Sequence, residues 1–280
     1  MKVRQLAFFV PFLVVAGCLE GSTGPQGVER PKIRLSVTGG IAGVDYTLLV
    51  DGPRREVMGV ECLNGCGFEE GELLHGLTPE QGAYLASLFL DAEIHQLNGT
   101  DFGSSCCDQF HYDLTYQDSE GASTVRGASD ALPDALLKAV TTVAAYARKV
   151  IPVVVAMDTD PARWRRDPAV LTGWGVSGDL AHLQVSFGGG CEAHYFDLVA
   201  HGGFRESQPV RVSAFLSHDG NGDLCEALLT KDLAFDLSPL KEAYQEAYGV
   251  AEPGTTTLVI TLEDIPSPSS LMAVPLEYTF

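Results

Sequence analysis

The first eighteen residues decide where this chain folds, and through that which folds are open to it. Lys2 and Arg4 precede an apolar run from Leu6 to Ala16, LAFFVPFLVVA. A basic start followed by an apolar run of this length is the order of a secretory signal peptide. Its eleven residues would rise only about 16 Å as a helix, roughly half the hydrocarbon core of a bilayer, so the run does not read as a membrane span. The expectation is a signal peptide over 1–17 and an exported protein folding in an oxidising compartment.

Six cysteines follow Cys18: Cys62, Cys66, Cys106, Cys107, Cys191 and Cys225. An even number in an exported chain favours disulfides over free thiols. Cys62 and Cys66 flank Leu63-Asn64-Gly65, and Cys106 and Cys107 are adjacent. Two cross-links between these loops are expected, because vicinal disulfides are strained. The same four thiols could instead collect a soft metal such as Cu(I). Cys191 and Cys225 are expected to pair, with His194 and His218 as polar neighbours; the alternative is a tetrahedral metal site made by Cys191, His194, His218 and Cys225.

Along the chain, 18–32 reads as a flexible tether, since Gly21 to Gly27 (GSTGPQG) is too rich in small and turn-forming residues to pack. Ile33 to Val37 and Tyr46 to Val50 read as strands joined through Gly39-Gly40-Ile41-Ala42-Gly43. Thr78-Pro79-Glu80-Gln81 is a capping-box helix start, followed by Tyr84, Leu85, Leu88 and Phe89 at helical spacing. Phe110 to Gln117 alternates apolar and polar, predicting a strand with one buried face, and a second helix is expected from about Pro133 to Lys149. Strands and helices do not alternate regularly, so 33–150 is expected to be an α+β domain with an antiparallel sheet and two helices.

A polar, proline-bearing stretch between Asp158 and Asp167 places a linker within 151–168. Beyond it, 169–280 is strand-rich. Leu183, Val185 and Phe187 alternate, as do Val210, Val212, Ala214 and Leu216. One helix starts at Ser238-Pro239 and closes at Gly249. A mainly-β, sandwich-like domain carrying one helix is expected.

Loss of Lys2 and Arg4 leaves 16 basic against 37 acidic residues, a formal charge of −21. Such a surface excludes nucleic acid and anionic lipid as favourable partners. No catalytic signature is present: HExxH, GxGxxG and the P-loop are absent, and Gly175 to Asp179 misses GxSxG at its last position. Ser238 to Lys241 matches SxxK without its companion motifs. His201-Gly202-Gly203 reads as a glycine turn. Asp219 to Asp223 (DGNGD) begins like a calcium loop but lacks the required later ligands, so an Asn-Gly turn is expected. The chain is read as non-catalytic and without a cofactor.

Val15-Ala16-Gly17-Cys18 resembles the bacterial lipobox. The resemblance implies a lipoprotein whose Cys18 is acylated, anchored to the cell membrane or outer membrane by chains that each contribute about 0.8 kcal/mol per buried CH₂. Further on, Thr38 to Gly43 with the strand Tyr46 to Asp51, the Leu77-Thr78-Pro79 helix start, Phe110 to Tyr116, Thr124-Val125-Arg126 and the Leu132-Pro133 helix start make residues 33–145 resemble emfourin, the small bacterial inhibitor of thermolysin-type metalloproteases, or a related exported domain. Relative to a compact inhibitor, Arg54 to His75 looks inserted. The resemblance implies a partner of that protease class. Gly39, Gly40, Ile41, Ala42, Gly43, Asp101 and Phe102 are then the candidate contacts, within the glycine turn and the loop from Asn98 to Asp108. A structural or ligand-binding envelope lipoprotein and a metal-binding envelope protein are the rival readings.

Overall fold

A computed structural model describes residues 30–103, 108–157, 160–249, 256–267 and 273–280. The signal peptide, Cys18, most of the tether, and Cys106 and Cys107 lie outside the described residues.

The chain begins with β1 (Lys32–Gly39), β2 (Val44–Asp51), β3 (Glu56–Asn64), β4 (Leu73–Gly76), α1 (Pro79–Asp91), β5 (Thr100–Asp101), β6 (Phe110–Gln117), β7 (Ala122–Ala128) and α2 (Asp134–Ala145). It continues through β8 (Ile151–Pro152), β9 (Val154–Val155), β10 (Ala169–Ser177), β11 (Leu180–Gly189), β12 (Tyr195–Arg205), β13 (Val210–Asp219), β14 (Ala227–Asp236), α3 (Ser238–Tyr248), β15 (Thr257–Glu263) and β16 (Ala273–Thr279). The described residues are thus mostly β, with three α-helices.

The first seven strands form one sheet in the order β4-β3-β2-β1-β6-β7-β5. In β1, Ile33, Leu35 and Val37 are buried while Lys32, Arg34 and Thr38 face solvent, the period of a half-buried strand. Apolar residues of α1 (Leu85, Leu88, Phe89) and α2 (Leu136, Val140, Val143) join these strands in one core. Thr78 caps α1 by accepting from the Gln81 amide at 3.0 Å, with Pro79 in the first turn, which satisfies a donor the helix cannot. α2 ends at Ala145, and a 3₁₀ turn carries the chain on to Lys149, which adopts a φ of 56°. The apparent insertion from Arg54 to His75 supplies β3 and β4, so it widens the sheet. The sheet is mixed, not wholly antiparallel: β5 runs parallel to β7, with Thr100 beside Val125.

The remaining strands make a four-stranded sheet, β10-β11-β14-β8, and a five-stranded sheet, β16-β15-β13-β12-β9. Leu183, Val185 and Phe235 from the first share a core with Leu198, Val212, Ile260 and Leu276 from the second, and Leu240 and Tyr244 of α3 pack into it. Both sheets are mixed, because β8 pairs parallel with β14 and β9 with β12. These two short strands come from the stretch read as a linker. His201-Gly202-Gly203 forms a bulge within β12, with φ of 73° at both glycines. Among the described residues, no helix is long and apolar enough to cross a membrane.

Candidate functional site

At one end of the seven-stranded sheet, four segments meet. The β1–β2 turn needs positive φ at Gly39, Gly40 and Gly43, of 96°, 68° and 60°, which glycine adopts without a Cβ penalty. The Gly40 amide donates to the Gln109 carbonyl at 3.0 Å, and a side chain at Gly40 would run into the Phe110 ring. From the other side, Asn64 Nδ2 donates to the Gly43 carbonyl at 2.7 Å. The turn is therefore clamped between β6 and the end of β3.

That end of β3 is closed by a disulfide between Cys62 and Cys66, whose Cα atoms lie 6.0 Å apart. The expected cross-links from Cys62 and Cys66 to the other loop are not formed. Gly65, with φ of 69°, reverses the chain so that the two cysteines come within bridging distance of each other. The result is an exposed apolar rim on a braced frame: Ile41 is 92% exposed, Leu63 69% and Phe110 42%.

Of the other predicted contacts, Asp101 caps its own loop by accepting from the Gly103 amide at 2.9 Å. It borders a shallow groove on the sheet's outer face together with Ser36, Thr38, His111 and Arg126. There Arg126 Nε donates to Asp113 Oδ2 at 2.7 Å. Phe102 is half-buried and packs against the core, so it anchors the loop instead of presenting a free surface. The far flank of the loop is held by Ser129, whose amide donates to Phe110 O at 2.8 Å and whose hydroxyl donates to Gln109 Oε1 at 2.6 Å. The structure thus brings the glycine turn, Asp101 and the flanks of the 98–108 segment to one region. Sequence reasoning passed over Leu63 and set Phe110 on the buried face of its strand with Tyr112, Leu114 and Tyr116; Phe110 is instead exposed at the strand's first residue, beside the glycine turn, and only the strand pairing and Asn64 show that both residues flank that turn.

The second cysteine and histidine cluster is built differently from a metal centre. Cys191 and Cys225 are joined in a disulfide, so their sulfurs are bonded to each other. Asp223 Oδ2 accepts from the amides of Gly190, Cys191 and Glu192 at 2.7, 2.9 and 2.9 Å, and Oδ1 accepts from Cys225 N at 2.8 Å. These amide donors, with His194, hold the carboxyl well below the usual carboxylate range. His194 Nε2 lies 3.1 Å from Asp223 Oδ2, and its Nδ1 lies 2.8 Å from His218 Nε2, the two rings stacked. Burial lowers the His218 pKa. Cys191, Asp223 and Cys225 do gather within 4.8 Å, but with the sulfurs bridged and the carboxylate filled by amides the group serves as a loop staple. The DGNGD segment is a turn, with φ of 53° at Asn221 and 72° at Gly222 and the Asp223 amide donating to Gly220 O at 2.9 Å. Asp219 is used elsewhere, by Arg55 at 2.9 Å.

No protein-family model and no curated protein matches the sequence. Among solved structures, the chain is similar to an uncharacterised protein from Parabacteroides merdae, at 8% identity over 89% of this chain and 97% of that one, with a TM-score of 0.34. It is similar to a NigD-like immunity protein from Bacteroides caccae at 14% identity, over 87% and 90% of the two chains, with a TM-score of 0.31. A candidate lipoprotein from Bacteroides fragilis shares 12% identity over 64% of this chain and 86% of its own, with a TM-score of 0.29. Likenesses this distant carry no argument about activity.

Proposed function

We propose that this is an exported, lipid-anchored and non-catalytic binding protein that engages a protein partner through the end of its seven-stranded sheet, with a thermolysin-type metalloprotease as the partner class. The observation that carries the reading is the apolar rim of Ile41, Leu63 and Phe110 set on a clamped frame. Exposed apolar side chains grouped at one site mark interaction surfaces more often than scattered ones do. A turn already held by Asn64, Gln109 and a disulfide loses little conformational freedom on binding, which favours affinity. The resemblance of residues 33–145 to a protease inhibitor supports the partner class, and the lipobox-like VAGC supports the anchor.

The test is a titration of thermolysin-type proteases with the soluble chain starting after Cys18. Stoichiometric inhibition, with the chain uncleaved after long incubation, supports the reading. Full protease activity at micromolar chain sinks the inhibitor assignment. Incorporation of labelled fatty acid that depends on Cys18 tests the anchor, and label retained on a Cys18→Ser protein excludes it.

A further inference from the structure

Two carboxyl groups come together where the start of α1 docks on β12. Thr78, the N-cap of α1, donates to Asp197 Oδ2 at 2.7 Å, and Glu80 follows in the first turn of the same helix. The charge of Glu80 acts on Asp197 as a like-charged neighbour. Asp197 is fully buried. Its second oxygen, Oδ1, and Glu80 Oε2 are both shielded from solvent, and neither has a hydrogen-bond donor among the described residues. Buried carboxylate oxygens are ordinarily paired, because desolvating one without a donor is costly.

The charged and titratable groups around the pair are engaged elsewhere. Arg55, whose charge also acts on Asp197, donates to Asp219 Oδ2 at 2.9 Å and to Leu77 O at 2.8 Å. Tyr146 OH accepts from Gln81 Nε2 at 2.9 Å, and Gln81 Oε1 faces His75 Nε2 at 3.1 Å. Tyr84 is hydrogen-bonded to the backbone of Val155. The Gln81 amide is taken by Thr78 Oγ1. With both groups ionised, the seam would hold two repelling carboxylates and two orphaned oxygens. A single proton removes both problems, because a protonated carboxyl becomes a donor to its neighbour, and hydrogen bonds from O–H to a carboxylate are among the strong ones.

We propose that Glu80 and Asp197 share one proton between Oε2 and Oδ1, so that the docking of α1 on β12 is a clasp that closes with proton uptake and loosens when the proton leaves. The folded chain keeps a proton that the unfolded chain, with both carboxyls near their ordinary values of about 4, gives up. The clasp therefore contributes fully below about pH 4 and is lost as pH rises towards neutrality. Coupled carboxyls of this kind titrate as a pair. None of the rim residues around Ile41 takes part, so the clasp is independent of the partner proposed above.

A double-mutant cycle followed over pH tests the pairing in the soluble chain. Glu80→Gln gives Asp197 Oδ1 a permanent amide donor and cannot share a proton. In urea unfolding, the ratio of the wild-type folding constant to that of Glu80→Gln should fall at least about tenfold between about pH 4.5 and about pH 7.5. The same Glu80→Gln change made in an Asp197→Asn background should show no such fall, because the pair is already broken. Infrared spectra of the native protein give a readout that does not depend on stability. At about pH 6 the wild type should show a carboxylic-acid C=O stretch that disappears by about pH 8.5 and is missing from Asp197→Asn. Parallel profiles for wild type and Glu80→Gln, a fall that persists in the Asp197→Asn background, or a native wild type without the acid band overturns the proposal. The last outcome would mean that both carboxylates stay ionised, as they would around a buried water donating to each.

Discussion

Thr78 Oγ1 donates a hydrogen bond of 2.7 Å to Asp197 Oδ2, joining residues 119 positions apart in sequence. The same hydroxyl accepts the Gln81 amide that caps α1, so a helix start in the first sheet's layer is fixed to a strand of the last sheet. Around it, Gln81 Nε2 donates to Tyr146 OH at 2.9 Å, and His75 Nε2 lies 3.1 Å from Gln81 Oε1. Arg55 spans the same seam, donating to Leu77 O at 2.8 Å and to Asp219 Oδ2 at 2.9 Å with its guanidinium over the Tyr195 ring. Asp197 Oδ1 has no donor among the described residues, an arrangement that suits a protonated carboxyl.

Burial pushes the Asp197 carboxyl up to about 7, against about 3.9 in an unfolded chain. Between those values the folded state holds the extra proton, so this contribution to stability is full below about pH 4 and is lost as pH rises to about 7. His75 works the other way. Burial holds its imidazole down to about 4, below the unfolded value of about 6.5, so its contribution is full above about 6.5 and is lost as pH falls towards 4. Asp197→Asn isolates the first effect, since an amide keeps the acceptor for Thr78 and cannot titrate. The stability advantage of the wild type over the variant should fall by roughly 2–4 kcal/mol between pH 4.5 and 7.5. Urea unfolding at the two pH values measures it, and parallel profiles for the two proteins sink the assignment.

Gly76 sits under the Tyr195 ring, and a Cβ there would collide with it. Its φ is not in the left-handed region, so backbone preference alone would make Gly76→Ala neutral or mildly stabilising. Overpacking at the seam reverses the sign and should cost about 1–3 kcal/mol. Gly82→Ala, where a Cβ meets open space within a helix, is the matched control and should stabilise. Equal responses from the two variants would show that the seam is not packed as described.

What could be read from the sequence was what is local. The cap at Thr78, the alternation in Phe110 to Gln117 and the glycines of the β1–β2 turn each carry their cause within a few residues, and the corresponding elements form. β3 escaped notice because Gly59, which leaves room for the Phe68 ring, interrupts its pattern, and β4 because it is only four residues long. Asp197 lies in the run Tyr195 to Ala200 as a lone polar residue among apolar ones, and its partner is in another layer. Trp164 was the available signal in the segment read as a linker: a tryptophan among charged residues, here buried against Phe215 and Val199. Cysteine pairing was misjudged between Cys62 and Cys66 because the turn that joins them depends on φ at Gly65, which composition does not reveal.

The two described disulfides close loops of very different size, with sequence separations of 4 and 34. In the chain-entropy account, removing them as double serine variants should cost about 2 kcal/mol for Cys62 with Cys66 and about 4 kcal/mol for Cys191 with Cys225. Denaturant midpoints of the two variants test the order. With both bridges formed, denatured but unreduced protein lacking Cys18 should show at most two reactive thiols. Four or more would favour the metal-binding reading of the cysteines.

The rim around Ile41 makes the sharpest separation between fold and function. Ile41 is 92% exposed and touches no core, so Ile41→Asp should change stability by no more than about 0.5 kcal/mol. If the rim is a binding surface, the same change places a charge in an apolar contact and should weaken partner binding by tenfold or more, since 1.4 kcal/mol suffices for that factor. Asn64→Ala acts by another route: it removes the donor to the Gly43 carbonyl without touching the partner. It should therefore weaken binding less than Ile41→Asp and raise amide exchange in residues 40–43. Inhibition constants for a responsive protease, measured beside thermal unfolding of both variants, distinguish the two routes. Inhibition that is indifferent to Ile41→Asp would move the contact to Asp101 and the groove beside Arg126.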